Sequence, residues 1–370
     1  MRHSRRRYHF MNTHLFSGLK VLDLSTVLAG PSVATFFAEL GATVIKVENP
    51  ANGGDVTRSW KLTSEDSESS ISAYFSSINY GKSYLRKNLS DANDRSHVDE
   101  LIRQSDVIIV NFKKGDDEKF LLTFEDVLKI NPTIIYGRIT GFALKEERVA
   151  YDVVLQAETG FMSMNGTPES GPVKMPVAMI DVIAAHQLKE GILCALIARM
   201  KDNKGRMVSC SLEKAGLSAL VNQASNYLMA GHIPTRLGSL HPNIAPYGEI
   251  FYCSDEKPLV LAVGSEKQFR QLTILLGDLV IAELEDYSTN QHRVMNRISL
   301  QQQLRPLFKR KKRDEWIQLF IEHSIPAGAV LDLSEVMERP VSKSMILEEL
   351  IDGILTKRMR SAGFEINEAH

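Results

Sequence analysis

The segment from Lys20 to Glu48 constrains the fold more than any other part of the chain. Its two ends, KVLDL at 20–24 and TVIKV at 43–47, are short runs rich in β-branched residues and leucine, which is typical of buried strands. Between these runs, apolar residues recur at helical spacing, at Val33, Phe36, Phe37 and Leu40. The order of strand, helix and strand predicts a parallel unit of the kind found in nucleotide-binding folds.

The turn that opens this unit lacks the fingerprint of a dinucleotide site. GxGxxG is absent, and the turn reads LAGP at 28–31. Pro31 removes one of the N–H donors that a pyrophosphate cradle would use. The pattern therefore favours the fold and disfavours a nicotinamide-dependent oxidoreductase.

The rest of the chain extends this architecture. DVIIVNF at 106–112 and TIIYGRI at 133–139 are predicted as the third and fourth strands, and the apolar stretch 178–200 is too long for a strand and suits a helix packed on more than one side. We predict an α/β fold with a doubly wound, Rossmann-like large domain over residues 11–204. A smaller α+β domain follows over 205–323, and residues 324–370 return to pack on the large domain.

Composition excludes several classes of function. The formal net charge of the 370 residues is -1, which provides no global field for nucleic acid or an anionic membrane. The basic run KRKKRDEW at 309–316 is predicted to be a solvated helix face, and no stretch is long and apolar enough to span a bilayer. The three cysteines have no CxxC spacing, so we expect neither a disulfide framework nor a zinc site, and a reducing cytoplasm. The start, MRHSRRRYHF, precedes no apolar run and does not predict a signal peptide, and Met11 is an equally good start.

The stretch AYDVVLQAETGFMSMNG at 150–166 is the strongest candidate for chemistry. Asp152 follows Tyr151 directly and lies among apolar and small residues. Such a carboxylate is either a helix N-cap or a nucleophile or acid–base group, because burial and dipoles control its ionisation. Asp181, near the start of the long helix, is interpreted as a cap or a first-turn dipole partner.

Eight segments, read together, resemble the class III CoA-transferases over residues 17–340. Formyl-CoA transferase and carnitine CoA-transferase are members of this family, and the α-methylacyl-CoA racemases are a sister branch. The segments occur in the family's order: VLDLSTVLAGPSVATFFAELGATVIKVENP, GGDVTR, NYGKS, DVIIVNF, NPTIIYGRITGF, YDVVLQAETGFMSMNG, HPNIAPYGEIF and SIPAGAV.

The resemblance implies an enzyme that moves CoA from an acyl-CoA to a carboxylic acid. It implies that Asp152 is the nucleophile and carries an aspartyl-CoA thioester, a form of covalent catalysis that needs no metal. Coenzyme A is the expected co-substrate. The expected assembly is a homodimer of two interlocked subunits, with no nucleic-acid or membrane partner.

The same resemblance implies further site residues. A glycine-rich loop that supplies N–H donors to an oxyanion falls near Gly238, although LGSLHP lacks the polyglycine of formyl-CoA transferase. The residues implied in CoA binding are Leu28, Ala29, Arg58, Asn79, Lys82, Asn111, Phe112, Lys119, Arg138 and Tyr151. Leu28 replaces a glutamine, which together with LGSLHP argues against formyl or oxalyl specificity. The segment GFALKEER at 141–148 departs from the family pattern at the mouth of the site.

Two alternatives remain from the sequence. A racemase pairs the aspartate with a histidine from a preceding segment, and none occurs between Val98 and Tyr151. His241 is predicted to be a packing or loop residue. A catalytically inactive CoA-binding protein is the other alternative, and the retention of Asp152 disfavours it.

Overall fold

A computed structural model describes residues 14–143 and 148–366 of the chain. The expected start at Met11 and residues 144–147 of the GFALKEER segment lie outside these ranges. Within them, no helix is both long and apolar enough to cross a membrane. The described residues also contain no group of three or more His, Cys, Asp or Glu side chains that could hold a metal ion.

The larger of two compact units is built on a parallel sheet. Within the described residues this sheet has six strands in the order β3-β2-β1-β4-β5-β6. They are β1 (Lys20–Asp23), β2 (Thr43–Glu48), β3 (Lys82–Arg86), β4 (Val107–Val110), β5 (Ile135–Thr140) and β6 (Arg206–Ser211). The order 3-2-1-4-5-6 is that of doubly wound nucleotide-binding folds, so the predicted α/β class is confirmed.

Helices cover both faces of this sheet. In chain order, the helices up to residue 230 are α1 (Ala29–Glu39), α2 (Ala73–Ile78), α3 (Ala92–Gln104), α4 (Asp116–Lys119), α5 (Phe124–Ile130), α6 (Asp152–Glu158), α7 (Phe161–Met164), α8 (Met179–Asp202), α9 (Leu212–Ser218) and α10 (Val221–Ala230). Short 3-10 turns lie at Pro50–Asn52 and Val56–Ser59. Successive residues of β4 alternate between the faces: Val107 and Ile109 pack with α1 and α8, and Ile108 and Val110 pack with α3 and α5.

The smaller unit comprises residues 162–173 and 234–343. Its antiparallel sheet consists of β7 (Tyr247–Tyr252), β8 (Pro258–Ala262) and β9 (Ala327–Ala329). A 3-10 turn lies at Glu285–Tyr287, and the helices are α11 (Glu266–Leu276), α12 (Val280–Glu283), α13 (Asn290–Met295), α14 (Arg297–Phe308), α15 (Arg313–Glu322), α16 (Leu333–Glu338) and α17 (Pro340–Ser344). The core of this unit includes stacked Trp316 and Phe320.

The compact units have different bounds from the predicted domains. The larger unit contains residues 14–161 and 174–233. Residues 205–233 belong to it, and not to the smaller unit, because β6 pairs with β5. Because β9 pairs with β8, residues 324–343 belong to the smaller unit. The return to the larger unit begins near residue 344, with the hairpin β10 (Ile346–Ile351) and β11 (Ile354–Met359).

The basic run at 309–316 is only partly a solvated face. α14 ends at Phe308 and α15 begins at Arg313, so the run is divided between a turn and a helix start. The Arg313 side chain is buried, and its Nη2 donates to Glu335 Oε1 over 2.8 Å. The predicted solvent exposure is confirmed for residues 309–312, which form the turn and not a helix, and is wrong for Arg313, because the charge pattern does not reveal a partner 22 residues away.

Candidate active site

Asp152 is the first residue of α6, and its carboxylate binds the start of a different helix. Its Oδ1 accepts hydrogen bonds from the backbone N–H groups of Ile180, at 2.7 Å, and Asp181, at 3.2 Å. Both donors lie in the first turn of α8, where unpaired N–H groups and the helix dipole favour an anion. Tyr151 is the N-cap residue of α6 and makes no side-chain cap. Asp152 therefore does not cap its own helix, and its carboxylate is instead held by the N–H groups at the start of α8.

Gln156 fixes the other oxygen of this carboxylate. One turn along α6, its Nε2 donates to Asp152 Oδ2 over 2.5 Å. Its Oε1 accepts the N–H of Met175 over 2.7 Å, which sets the orientation of the amide. Gln156 is fully buried, whereas Asp152 is partly exposed. The nucleophile candidate is thus held in one orientation by three donors while its open side faces solvent.

That open side borders a cleft within the larger unit. The cleft has a volume of about 630 Å³ and is lined by residues 27–28, 60, 74, 151–153, 174, 176–178 and 181. A volume of this order suits a small organic ligand. Of the residues predicted from the sequence, the structure brings Leu28, Tyr151 and Asp152 together here.

Asp181 contributes a second carboxyl group to the cleft. Its side chain is only 8% exposed, and it has no hydrogen-bond partner among the described residues. Burial, followed by the nearby charge of Asp152, raises the pKa of Asp181 to about 7. Of the two roles expected for Asp181, the cap was wrong, because Ala178 is the N-cap residue and no side chain caps this helix, whereas its place in the first turn of α8 is confirmed.

Three further residues of the cleft were not predicted from the sequence. Trp60 and Tyr74 meet edge to face with ring centroids 5.1 Å apart. Burial, then Asp181 and Asp152, raises the pKa of Tyr74 to about 12. Lys174 is exposed, and its Nζ donates a hydrogen bond to the neighbouring carbonyl of Met175 over 3.3 Å. None of these residues lies in a motif, and only the fold places them beside Asp152.

Two predicted CoA ligands lie instead in a buried ionic network. We call Asp23, Lys46, Asp55 and Lys82 the closed cluster, because all four side chains are inaccessible to solvent. Lys82 Nζ donates to Asp23 Oδ2 at 2.9 Å and Asn79 Oδ1 at 2.8 Å, and carbonyls of Pro31 and Ile78 lie within 3.2 Å. This placement favours a structural role for Asn79 and Lys82.

The charges of the closed cluster neutralise one another. Burial alone would raise the pKa of Asp23, but Lys46 and Lys82 outweigh it and hold that pKa below its usual range. Lys46 Nζ lies 3.0 Å from Asp55 Oδ2 and donates to the carbonyl of Ser25 over 2.6 Å. The cluster therefore fixes the loop that leaves β1 and enters α1.

Asn111 holds the same loop from the end of β4. Its Oδ1 accepts the N–H of Thr26 at 3.0 Å, and its Nδ2 donates to the Thr26 carbonyl at 2.8 Å. The next residue, Val27, has φ of 71°, which is strained for a β-branched side chain. Ala29 is buried at the start of α1. Asn111 and Ala29 thus shape the loop that presents Leu28 to the cleft.

The remaining predicted CoA residues surround the carboxyl ends of the strands. Phe112 packs on Phe120 with centroids 6.1 Å apart, and Lys119 Nζ lies 5.2 Å from the same ring. Arg138 Nη2 lies 3.3 Å from Asp117 Oδ2. In a parallel sheet, ligands bind outside these ends.

Arg58 is placed apart from these residues. Its Nη2 lies 2.7 Å from Glu48 Oε2, and its guanidinium lies 4.0 Å from the Phe75 ring centroid. It lines a second cleft, of about 250 Å³, together with Lys61 and Arg86. The structure therefore assigns Arg58 a different cleft from that of Asp152.

Gly238 and His241 belong to the smaller unit. The Gly238 N–H donates to the carbonyl of Gly166 over 2.8 Å, at φ of 62°. This donor is already used within the unit. The His241 ring packs on Tyr247 with centroids 5.2 Å apart, which agrees with the predicted packing role.

Known proteins resemble this chain over nearly its whole length. The sequence pattern of "CoA-transferase family III" matches residues 16–363. A succinate–glutarate CoA-transferase from Agrobacterium fabrum is 36% identical, over 88% of this chain and 82% of that protein. An acetyl-CoA:oxalate CoA-transferase from Acetobacter aceti is 31% identical, over 90% and 85% of the two chains. The crystal structure of a CAIB/BAIF family protein from Brucella suis has a TM-score of 0.85 at 34% identity, over 96% of this chain and 94% of that one.

Proposed function

The chain belongs to CoA-transferase family III, and from this membership we propose that it transfers CoA between a CoA thioester and a dicarboxylic acid, with Asp152 as the covalent nucleophile. One observation carries the proposal. The carboxylate of Asp152 borders the 630 Å³ cleft, and backbone N–H groups of α8 together with Gln156 hold it in place. A carboxylate oriented by several donors enters the reaction with little loss of side-chain freedom.

The proposed transfer has four steps and needs no change in oxidation state. An oxygen of Asp152 attacks the acyl carbon of the donor and the carbon–sulfur bond breaks. A mixed anhydride of Asp152 and the acyl group forms, and CoA leaves as the thiolate. The thiolate then attacks the Asp152 side of the anhydride, which releases the donor acid and forms the aspartyl-CoA thioester. The acceptor carboxylate repeats these steps in reverse and leaves as the new acyl-CoA. Splitting the transfer in this way lowers each barrier.

CoA binding is proposed along the loops that follow β1 and β4. Leu28 and Tyr151 line the cleft, and Asn111 fixes the loop on which Leu28 lies. Lys119 and Arg138 supply cations near the carboxyl ends of the strands, where phosphates would be attracted. Arg58 is already paired with Glu48, so we assign it a structural contribution.

The acceptor class is proposed from the relatives and from one side chain. The two similar enzymes described above are named for the dicarboxylic acids succinate, glutarate and oxalate. Lys174 is an exposed cation lining the same cleft as Asp152, and the hydrogen bond recorded for its ammonium is to the adjacent Met175 carbonyl. We propose that Lys174 binds the second carboxylate of the acceptor, the one that does not take part in the transfer.

We also propose that the protein is a homodimer, as the resemblance to interlocked subunits implies. α10 supports this proposal because none of its residues is buried. Its apolar side chains Leu228 and Met229 are 79% and 88% exposed, and Ile233 beyond it is 71% exposed. Clustered exposed apolar residues are typical of a protein interface. Native mass spectrometry should give the mass of two chains, and a single-chain mass at micromolar concentration would contradict the proposal.

The proposed chemistry is tested by intact-protein mass spectrometry after mixing with succinyl-CoA. Wild-type protein should gain the mass of CoA less one water, and hydroxylamine should remove this adduct. Asp152→Ala should form none, while Asp202→Ala, which changes an exposed acid at the far end of α8, should form it normally. Succinyl-CoA or glutaryl-CoA bound without any adduct in wild type would contradict covalent transfer.

A further inference from the structure

Asp181 is the one buried carboxyl of the cleft that the proposed reaction leaves without a role. It lies in the first turn of α8 and lines the cleft together with Asp152. Within the part of the chain that the structure describes, its carboxyl oxygens have no hydrogen-bond partner, although the side chain is only 8% exposed. A buried polar group without a partner costs free energy unless a ligand completes its hydrogen bonds.

The first turn of α8 directs its N–H groups to the carboxylate of Asp152 and not to that of Asp181. The N–H groups of Ile180 and of Asp181 itself both donate to Asp152 Oδ1. These are the groups through which a helix start stabilises an anion, so a second negative charge in the same place would be repelled. Burial beside another carboxylate disfavours ionisation, so the carboxyl group that lacks these N–H donors is the one suited to act as the acid. The pKa of about 7 for Asp181 agrees with this division.

Other titratable groups do not alter this division. Within the described residues, Asp152 from α6, Tyr74 from α2, and Tyr151 and Lys174 are the titratable side chains that line the cleft with Asp181. Charged groups on the other elements packed against α8 have partners elsewhere: Glu39 of α1 with Arg358, Arg138 of β5 with Asp117, Arg206 of β6 with Asp202, and Glu213 of α9 with the N–H of Ala143. Lys214 of α9 is exposed to solvent. The Lys174 ammonium donates to the carbonyl of Met175.

We propose that Asp181 acts as a neutral acid that donates a hydrogen bond to the oxygen of the acyl group bound beside Asp152. That oxygen gains negative charge when Asp152 attacks the acyl carbon. A donor directed at the developing charge lowers the barrier, and loss of one such donor typically costs about 10²–10³ in rate. No proton need be transferred, so the steps of the proposed reaction are unchanged. The inference rests on the proposed function of Asp152.

A second observation, that nearby backbone donors are already used, supports such a donor. The sequence predicted that the loop at Gly238 supplies the oxyanion donor, but its N–H is donated to the Gly166 carbonyl. The N–H groups of Ile180 and Asp181 are occupied by Asp152 itself. A carboxyl proton of Asp181 is therefore one donor that the cleft offers, beside the Tyr74 hydroxyl and the Lys174 ammonium.

The test compares Asp181→Asn with Asp181→Ala. Asparagine is nearly isosteric and stays a neutral donor, so kcat/KM at pH 6 should stay within about tenfold of wild type. Alanine removes the donor, and kcat/KM should fall by about 10²–10³. Wild-type kcat/KM should decline above pH 7 as Asp181 ionises, and Asp181→Asn should lose that decline. An asparagine variant as impaired as the alanine variant, or one that keeps the alkaline decline, would overturn the proposal.

Two measurements separate this proposal from the proposed function. If wild type forms no CoA adduct, the function of Asp152 fails, and this result does not depend on Asp181. Independently of catalysis, a ¹³C NMR titration should show the carboxyl of Asp181 protonated at pH 6 in the full chain. A carboxylate that is already ionised at pH 6 would overturn the inference even if CoA transfer is found. Melting temperatures of both variants should match or exceed that of wild type, since no hydrogen bond is removed.

Discussion

Asp23 and Asp181 are both buried aspartates of the larger unit, yet their surroundings are opposite. Asp23 lies in the closed cluster, where Lys46 and Lys82 approach its Oδ2 at 3.8 and 2.9 Å. Asp181 lines a cleft with another carboxylate and, within the described residues, forms no ion pair. The pKa of Asp23 is held below its usual range, whereas that of Asp181 is raised to about 7.

The difference shows how one residue type serves structure in one place and chemistry in another. In the closed cluster each charge has an opposite charge and several hydrogen bonds, so no group is left to bind a ligand. In the cleft the first turn of α8 donates its hydrogen bonds to Asp152, and among the described residues the Asp181 side chain is left without a hydrogen-bond partner. Polar groups that the fold leaves unsatisfied are those that a substrate can satisfy.

The largest expected effect tests whether the cleft is the reacting site. Asp152→Asn removes the nucleophile but retains the size of the side chain, so kcat for CoA transfer should fall at least about 10⁴-fold, as for other covalent nucleophiles. Steady-state transfer of CoA from succinyl-CoA to glutarate measures the change. A variant that keeps more than a tenth of wild-type kcat would show that Asp152 is not the nucleophile.

Asp23→Asn tests the structural side of the comparison. The change leaves Lys46 and Lys82 buried without their shared anion, and removing one partner of a buried ion pair costs about 3–5 kcal/mol. Urea denaturation at pH 7 should show this loss in the free energy of unfolding. Because the pKa of Asp23 is lowered in the folded state, wild type should lose the same stabilisation as pH falls below the usual aspartate value of 3.8.

The matched control is Glu348→Gln, which breaks an exposed pair with Lys357. It should cost less than about 1 kcal/mol. In the folded fraction, Asp23→Asn should still form the CoA adduct. An equal cost for both variants would contradict the structural role of the closed cluster.

The regular parts of the larger unit could be predicted from the sequence. β1, β2, β4, β5 and α8 follow apolar runs with clear periodicity, which depends on neighbouring residues alone. β3 was not recognised as a strand because KSYLR alternates poorly and has the mixed polarity of a sheet edge. Asp152 was found because it belongs to a motif.

Partners far apart in sequence could not be predicted. Lys82 matched a family motif for CoA, but it bonds Asp23 across 59 residues and faces inward. Gly238 matched a catalytic loop by order, but its N–H contacts Gly166, which places 162–173 in the smaller unit. Asp181 was not recognised as a residue of the cleft, because only the folded structure shows that its side chain lines the cleft without a hydrogen-bond partner among the described residues. Such features depend on tertiary contacts, which a single sequence does not contain.

Asp181→Asn sharpens the comparison because its effect on stability should have the opposite sign. The pKa of Asp181 is raised in the folded state, so the folded chain binds a proton that the unfolded chain releases between pH 3.8 and about 7. Wild type therefore loses stability as pH rises through this window, and the neutral variant does not. At pH 8 the variant should be more stable by up to about 4 kcal/mol, because only wild type then buries a charge and each pKa unit corresponds to about 1.4 kcal/mol. Urea denaturation at pH 4.5 should give a smaller difference, and an equal difference at both values would contradict the assignment.

Lys174→Met should give the smallest effect and asks whether an exposed lysine can select the acceptor. Unlike Lys82, Lys174 is exposed and lines the cleft, so an acceptor carboxylate can reach its ammonium. Solvent weakens such a pair, and the loss should be about 1 kcal/mol, or roughly fivefold in KM for glutarate, with kcat nearly unchanged. Butyrate lacks the second carboxylate, so its KM should not change. Lys201→Met, an exposed lysine in the last turn of α8, is the matched control. Equal increases in KM for glutarate and butyrate would show that Lys174 acts on the thioester and not on the second carboxylate.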